Sequence, residues 1–76
     1  MEIDTFLSQF SSLFEETTTA NLTANTEFRT VTEWGSLMAM AVIAMVDANY
    51  NVQINGKDLI NCKTIQDIYN VVKSRI

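Results

Sequence analysis

From Ser36 to about Tyr50 the chain is apolar on nearly every side of a helical wheel. Leu37, Met38, Met40, Ala41, Val42, Ile43, Met45 and Val46 spread in all directions at ~100° per residue, and after Ser36 only Asp47 and Asn49 are clearly polar. A helix of this kind is stable only when other elements surround it. The chain has 76 residues, enough for one small core and no second, so residues 1–76 are expected to form one domain. Two or three further short helices must therefore do the covering. Cover this thin predicts that Val42, Ile43 and Val46 pack in the core, while Met38, Ala41 and Ala48 leave apolar surface for a ligand or partner. The uninterrupted apolar run, 37–46, is ten residues long. A membrane span needs roughly 20, so none is expected.

The remaining elements follow from periodicity. Ile3, Phe6, Leu7, Phe10, Leu13 and Phe14 share one arc, with Asp4, Ser8, Gln9, Ser11, Ser12, Glu15 and Glu16 on the rest, which predicts a first amphipathic helix of about a dozen residues. Residues 17–32 hold seven threonines and two asparagines and fit neither helical nor strand spacing, so a long loop is expected, pinned to the core by Leu22 and Phe28. The alternating stretch Val52, Gln53, Ile54 before Asn55-Gly56 would also suit a hairpin, but Lys57-Asp58-Leu59-Ile60 offers no partner strand. A loop anchored by Val52 and Ile54, leading into a brief helix, is the better reading. Thr64-Ile65-Gln66-Asp67 has the capping-box spacing that opens a last helix. In it Ile65, Ile68, Tyr69, Val72 and Ile76 share a face, and Lys73 and Arg75 sit at the negative end of its dipole. The expected fold is all-α: a small four-helix bundle of three main helices and one short one, with a long loop after the first.

Composition narrows the function. The formal charge is -4, which supplies no electrostatic footprint for nucleic acid or anionic lipid. Residues 1–36 carry six acids and one base, net -5, against three acids and four bases, net +1, in 37–76. Histidine is absent and Cys62 is the sole cysteine, which removes Ser-His-Asp and Cys-His arrangements, an intrachain disulfide and most zinc sites. Neither an enzyme nor a metal site is expected, and without a histidine to activate it Cys62 reads as structural. The start, Met1-Glu2-Ile3-Asp4, is acidic where a secretory signal would be basic, so a cytoplasmic location is expected and the sequon at Asn21 carries no glycan.

The informative spot is Trp34-Gly35-Ser36-Leu37, where the long loop meets the apolar helix. Serine before an apolar run is commonly a helix cap. The same position also suits a phosphate, because free backbone N–H groups and the positive end of the dipole converge there. Trp34 is expected to anchor the loop end on the bundle.

With its acidic balance, its order of helices and its serine at the head of the apolar helix, the whole chain resembles the acyl carrier protein family. Gly35-Ser36-Leu37 matches the serine and leucine of the family motif Asp-Ser-Leu. Tyr50 stands where the family closes its second helix with an aromatic residue, Ile54 follows the next loop, and Thr64-Ile65 opens the fourth helix. The approach 28–34, ending in Trp34, looks like that of specialised bacterial carriers. The resemblance implies that Ser36 bears 4′-phosphopantetheine as a phosphodiester, added from coenzyme A by a phosphopantetheinyl transferase. It implies that the arm holds an acyl group as a thioester and presents it to acyl-loading and acyl-transfer enzymes, as in fatty acid or secondary metabolite biosynthesis, the protein itself being a monomer. The acyl chain would be a guest between the helices, with Met40 and Met45 suited to a cavity that adapts to it, although core filling is the expected role of each methionine taken by itself. An aminoacyl or peptidyl carrier of the same fold and an unmodified helical interaction module are the alternatives. Two departures from the family pattern stand out. Gly35 replaces the aspartate that helps cap the helix and contacts the transferase, and the second helix has Asp47 as its single acid, so docking should lean on apolar contact.

Overall fold

The computed structural model describes residues 2–14, 22–31 and 33–76. Among these the helices are α1 (Ile3–Ser11), α2 (Ser36–Tyr50), α3 (Gly56–Ile60) and α4 (Ile65–Ser74), with a 3-10 turn at Phe28–Thr30. The described residues contain no strand, only an isolated antiparallel bridge between Glu27 and Thr64. The all-α arrangement with one short helix is the one that periodicity predicts. Helix α1 packs on α2 and α4, and α3 packs on the same two.

The aromatic residues of α1 set the core. Phe6 and Phe10 are fully buried, and the Phe6 ring meets Tyr69 edge-on with centroids 5.6 Å apart and lies 5.9 Å from Tyr50. Each such side chain contributes about 1.5–3 kcal/mol through burial. Helix α1 stops at Ser11, short of the predicted dozen residues. Ser12 donates its hydroxyl to the Gln9 carbonyl at 2.7 Å, and the backbone tightens into Leu13 N–H to Phe10 and Phe14 N–H to Ser11 bonds of 3.2 and 3.0 Å. Serine competes with the helical ladder in this way. Phe14 nonetheless reaches the core, stacked on Phe10 at 5.3 Å.

Ser11 is buried and, among the described residues, its Oγ has no hydrogen-bond partner. An unmade buried hydroxyl bond costs stability, so Ser11→Ala is expected to stabilise the chain by about 1 kcal/mol. A urea midpoint that falls in this variant would show that the hydroxyl is satisfied in solution.

Val42 and Val46 are fully buried and Ile43 is half-buried against the core, as their places on the wheel predict. The open side of α2 includes the expected Ala48 and also two residues that the wheel does not single out. Met38 is half-buried and packs against the core, whereas Leu37 is 82% and Met40 67% exposed. Ala41 is half-buried and Ala48 exposed. With no polar stripe to orient it, α2 turns whichever residues its neighbours fail to cover toward solvent.

The loop after α1 is fastened to α4. Leu22 and Phe28 are buried, as expected of pins; residues 15–21 and 32 lie outside the described residues. The Thr26 and Ala24 carbonyls accept the N–H groups of Ile65 and Gln66 at 3.1 and 2.8 Å, satisfying donors at the start of α4 that the helix itself leaves unpaired. The predicted capping box completes that end: Asp67 N–H donates to Thr64 Oγ1 at 3.2 Å and Thr64 N–H to Asp67 Oδ2 at 3.0 Å. Hydrogen bonds from the Thr64 and Lys63 backbone hold the Asp67 carboxyl below its ordinary pKa. Helix α4 ends at Ser74, so Ile76, placed by periodicity on the apolar face, is 70% exposed.

Val52 and Ile54 are buried and lead into α3, as expected of an anchored loop. Asn51 turns the chain out of α2 in the left-handed region, with φ 55°, a conformation asparagine tolerates better than most residues. Asn55 and Asp58 form a second capping box with bonds of 2.9 and 3.0 Å. Cys62 is free and buried, and burial pushes its thiol pKa up, which suits the structural role expected of it.

Candidate functional site

The approach to Ser36 is built from aromatic contact and one tight turn. Trp34 N–H donates to the Val31 carbonyl at 2.9 Å, and the indole stands edge-on to Phe28 with ring centroids 4.7 Å apart. Phe28 is fully buried, so Trp34 anchors the loop end as predicted. The chain then extends through Gly35, whose carbonyl accepts the first helical bond of α2, from Ala39 N–H at 2.9 Å. The N–H groups of Ser36, Leu37 and Met38 therefore have no acceptor within the helix.

Gly35 occupies the N-cap position and has no side chain with which to cap α2. Ser36 is the first residue of the helix proper, exposed, with no acid in the first turn. The serine thus does not occupy the position from which a side chain caps a helix. Its hydroxyl is carried at the positive end of a 15-residue helix, where an anionic substituent is favoured electrostatically.

A Cβ built on Gly35 meets nothing within 4 Å, and the extended backbone there admits any residue. Gly35→Asp is therefore expected to fit without strain, accept a hydrogen bond from the first turn of α2, and stabilise the chain by about 0.5–1 kcal/mol. Thermal melting checks this. A destabilised variant would mean that the N-cap is more crowded than its geometry indicates.

Beside the serine lies an open groove of about 470 Å³, lined by Leu13, Glu33, Gly35, Leu37, Met38 and Ala41. Its lining is apolar apart from Glu33. The methionine facing this space is Met38, one of the positions expected to leave apolar surface, and neither Met40 nor Met45, which the resemblance made suited to a cavity. Met40 points to solvent and Met45 is buried in the core, because α2 is rotated so that its 38 and 41 positions face the end of α1. Leu13 and Glu33 join the groove from outside α2, which no motif announces. Tyr50 closes α2 and donates its hydroxyl to Gln9 Oε1, tying the far end of the helix to α1.

The residues present fit a phosphate-linked arm: an exposed hydroxyl, first-turn N–H groups that the helix itself does not use, and a neighbouring position without a side chain. No curated protein and no solved structure matches this chain. A family model described as phosphopantetheine attachment site matches residues 7–72, from within α1 through most of α4. Proteins of that family carry covalently attached 4′-phosphopantetheine. Matched over most of its length, and folded as a small helical bundle, the chain belongs to the phosphopantetheine attachment site family.

Proposed function

We propose that Ser36 is the attachment residue, and that residues 1–76 act as one acyl carrier domain that presents its cargo to partner enzymes. The observation that carries the reading is the placement of Ser36: exposed at the first position of α2, outside the capping position, beside first-turn N–H groups that the helix itself does not use. When bound, the arm supplies the terminal thiol on which an acyl group is held as a thioester. The chain's own residues do the rest. The start of α2 stabilises the charge of a phosphodiester at Ser36. Trp34 and Phe28 fix the direction from which the serine is approached.

An acyl cargo, rather than an aminoacyl or peptidyl one, is supported by the groove that begins at Gly35 and Leu37 and continues over Leu13, Met38 and Ala41. Five of the six lining residues offer no charge to a cargo and shelter hydrocarbon, Glu33 being the exception. Docking would lean on apolar contact, since Leu37 and Met40 are exposed and Asp47 is the one acid of α2. That pattern suits a dedicated set of partner enzymes in the cytoplasm.

Intact-mass measurement after incubation with coenzyme A and a broad-specificity phosphopantetheinyl transferase tests the reading. One phosphopantetheine is expected per chain. No addition with any of several transferases would overturn it. Comparing acyl with aminoacyl loading of the modified chain then separates the two kinds of carrier.

A further inference from the structure

Four of the chain's five cations gather around α3. Lys57 lies in the helix and Lys63 just beyond it, both exposed. Arg29, in the 3-10 turn, donates through Nη2 to the Leu59 and Ile60 carbonyls at 2.5 and 2.8 Å. Arg75, just after α4, pairs with Asp58 through two bonds of 2.8 and 2.9 Å. Leu59 is buried, which turns Lys57 and Ile60, three residues apart, toward solvent on one side of the helix. Ile60 is 74% exposed, a large apolar side chain among positive charges.

The acids nearby are already committed. Asp58 takes Arg75 and the Asn55 N–H, and Asp67 takes the Lys63 and Thr64 N–H groups. Arg75 with Asp58 is the one ion pair among the described residues, so Arg29, Lys57 and Lys63 each present a charge that no described carboxylate neutralises. Arg29 is also held still. Two carbonyls fix its Nη2, its guanidinium carbon lies 5.1 Å from the centroid of the buried Phe28 ring, and its Nε and Nη1 make no bond among the described residues. An arginine oriented in advance loses little freedom when it takes a carboxylate.

We propose that the exposed side of α3 is a docking surface for an acidic segment of a partner protein, with Arg29 and Ile60 as anchors and Lys57 and Lys63 beside them. A partner carboxylate meets Arg29 while an apolar side chain covers Ile60, the pairing of a charged and a hydrophobic anchor that concentrates binding energy at protein interfaces. A lipid surface fits less well, since three cations and one apolar side chain are set against a chain of net charge -4. Phe28 touches Trp34 as well as Arg29, so the surface borders the approach to Ser36. Docking needs no group on Ser36, and its failure leaves the attachment reading untouched.

The test uses the unmodified chain and a short helical peptide with glutamates flanking a leucine stripe, followed by amide chemical shifts. Shifts are expected at Arg29 and across 57–63, and to weaken as salt is raised. The same peptide with lysine in place of glutamate should leave them unmoved. Arg29→Gln is expected to weaken binding about tenfold. Lys57→Glu and Ile60→Ser, at exposed positions that hold nothing in the core, should each weaken it about threefold or more and decide the matter if Arg29→Gln disturbs α3. No shifts at about 1 mM peptide, equal binding of the lysine peptide, or binding that ignores Lys57→Glu and Ile60→Ser overturns the proposal. Sedimentation with phosphatidylserine vesicles is expected to leave the chain in solution; co-sedimentation that Lys57→Glu abolishes would make the surface a lipid site and overturn the protein partner.

Discussion

Ser36→Ala is expected to abolish transferase-catalysed addition of phosphopantetheine and to leave the melting temperature almost unchanged. The two halves of this expectation come from one geometric fact. Ser36 is the first helical residue and Gly35 the N-cap, so removing the hydroxyl takes away no cap. Alanine is the better helix former, and the position is exposed, which keeps the stability change within about 0.5 kcal/mol. Intact mass and a thermal melt on the same sample read both. Addition that persists in Ser36→Ala would move the arm to another hydroxyl while sparing the family assignment. A drop of more than about 1 kcal/mol would instead give Ser36 the capping role that its position argues against.

Phe28→Ala is expected to cost about 3–5 kcal/mol. A 76-residue domain at roughly 0.05–0.15 kcal/mol per residue has roughly 4–11 kcal/mol in all, so this single truncation takes a large share. The cost is high because Phe28 fastens three things at once: the loop to the core, the Trp34 indole at 4.7 Å, and the Arg29 guanidinium 5.1 Å from its ring centroid. Urea unfolding measures the loss. Where the variant still folds, transfer to Ser36 should slow, since the approach to the serine has lost its footing. A loss below about 1 kcal/mol would show that Leu22 and the bonds from Ala24 and Thr26 hold the loop without Phe28.

The parts of the fold legible in the sequence are those with a one-sided pattern. Helices α1 and α4 announce their buried faces through Phe6, Phe10, Ile65, Ile68 and Val72, and Thr64 and Asp67 mark the start of α4 by spacing alone. Helix α2 announces its existence but not its orientation. Apolar residues all round give no direction, so the exposure of Leu37 and Met40, and the turning of Met38 toward the groove, depend on which neighbours reach α2. Asn55 and Asp58 repeat the spacing of Thr64 and Asp67, yet the Asn-Gly pair at 55–56, equally at home in a hairpin, obscures it. The grip of Arg29 on the end of α3 leaves no trace at all. A guanidinium bonded to main-chain carbonyls 30 residues away imposes no requirement on the side chains there. Of the candidate site, the place of Ser36 before the apolar run is legible in the sequence, while Leu13 and Glu33 are brought beside it only by folding.

The packing of Trp34 on Phe28 has an optical consequence. Trp34 is the chain's sole tryptophan and stands two residues ahead of Ser36. All the indole emission of the protein therefore originates beside the serine, half in contact with the core and half with solvent. Events at the head of α2 can be watched in the unlabelled protein, in real time and at sub-micromolar concentration, by a fluorophore that the fold has already placed there.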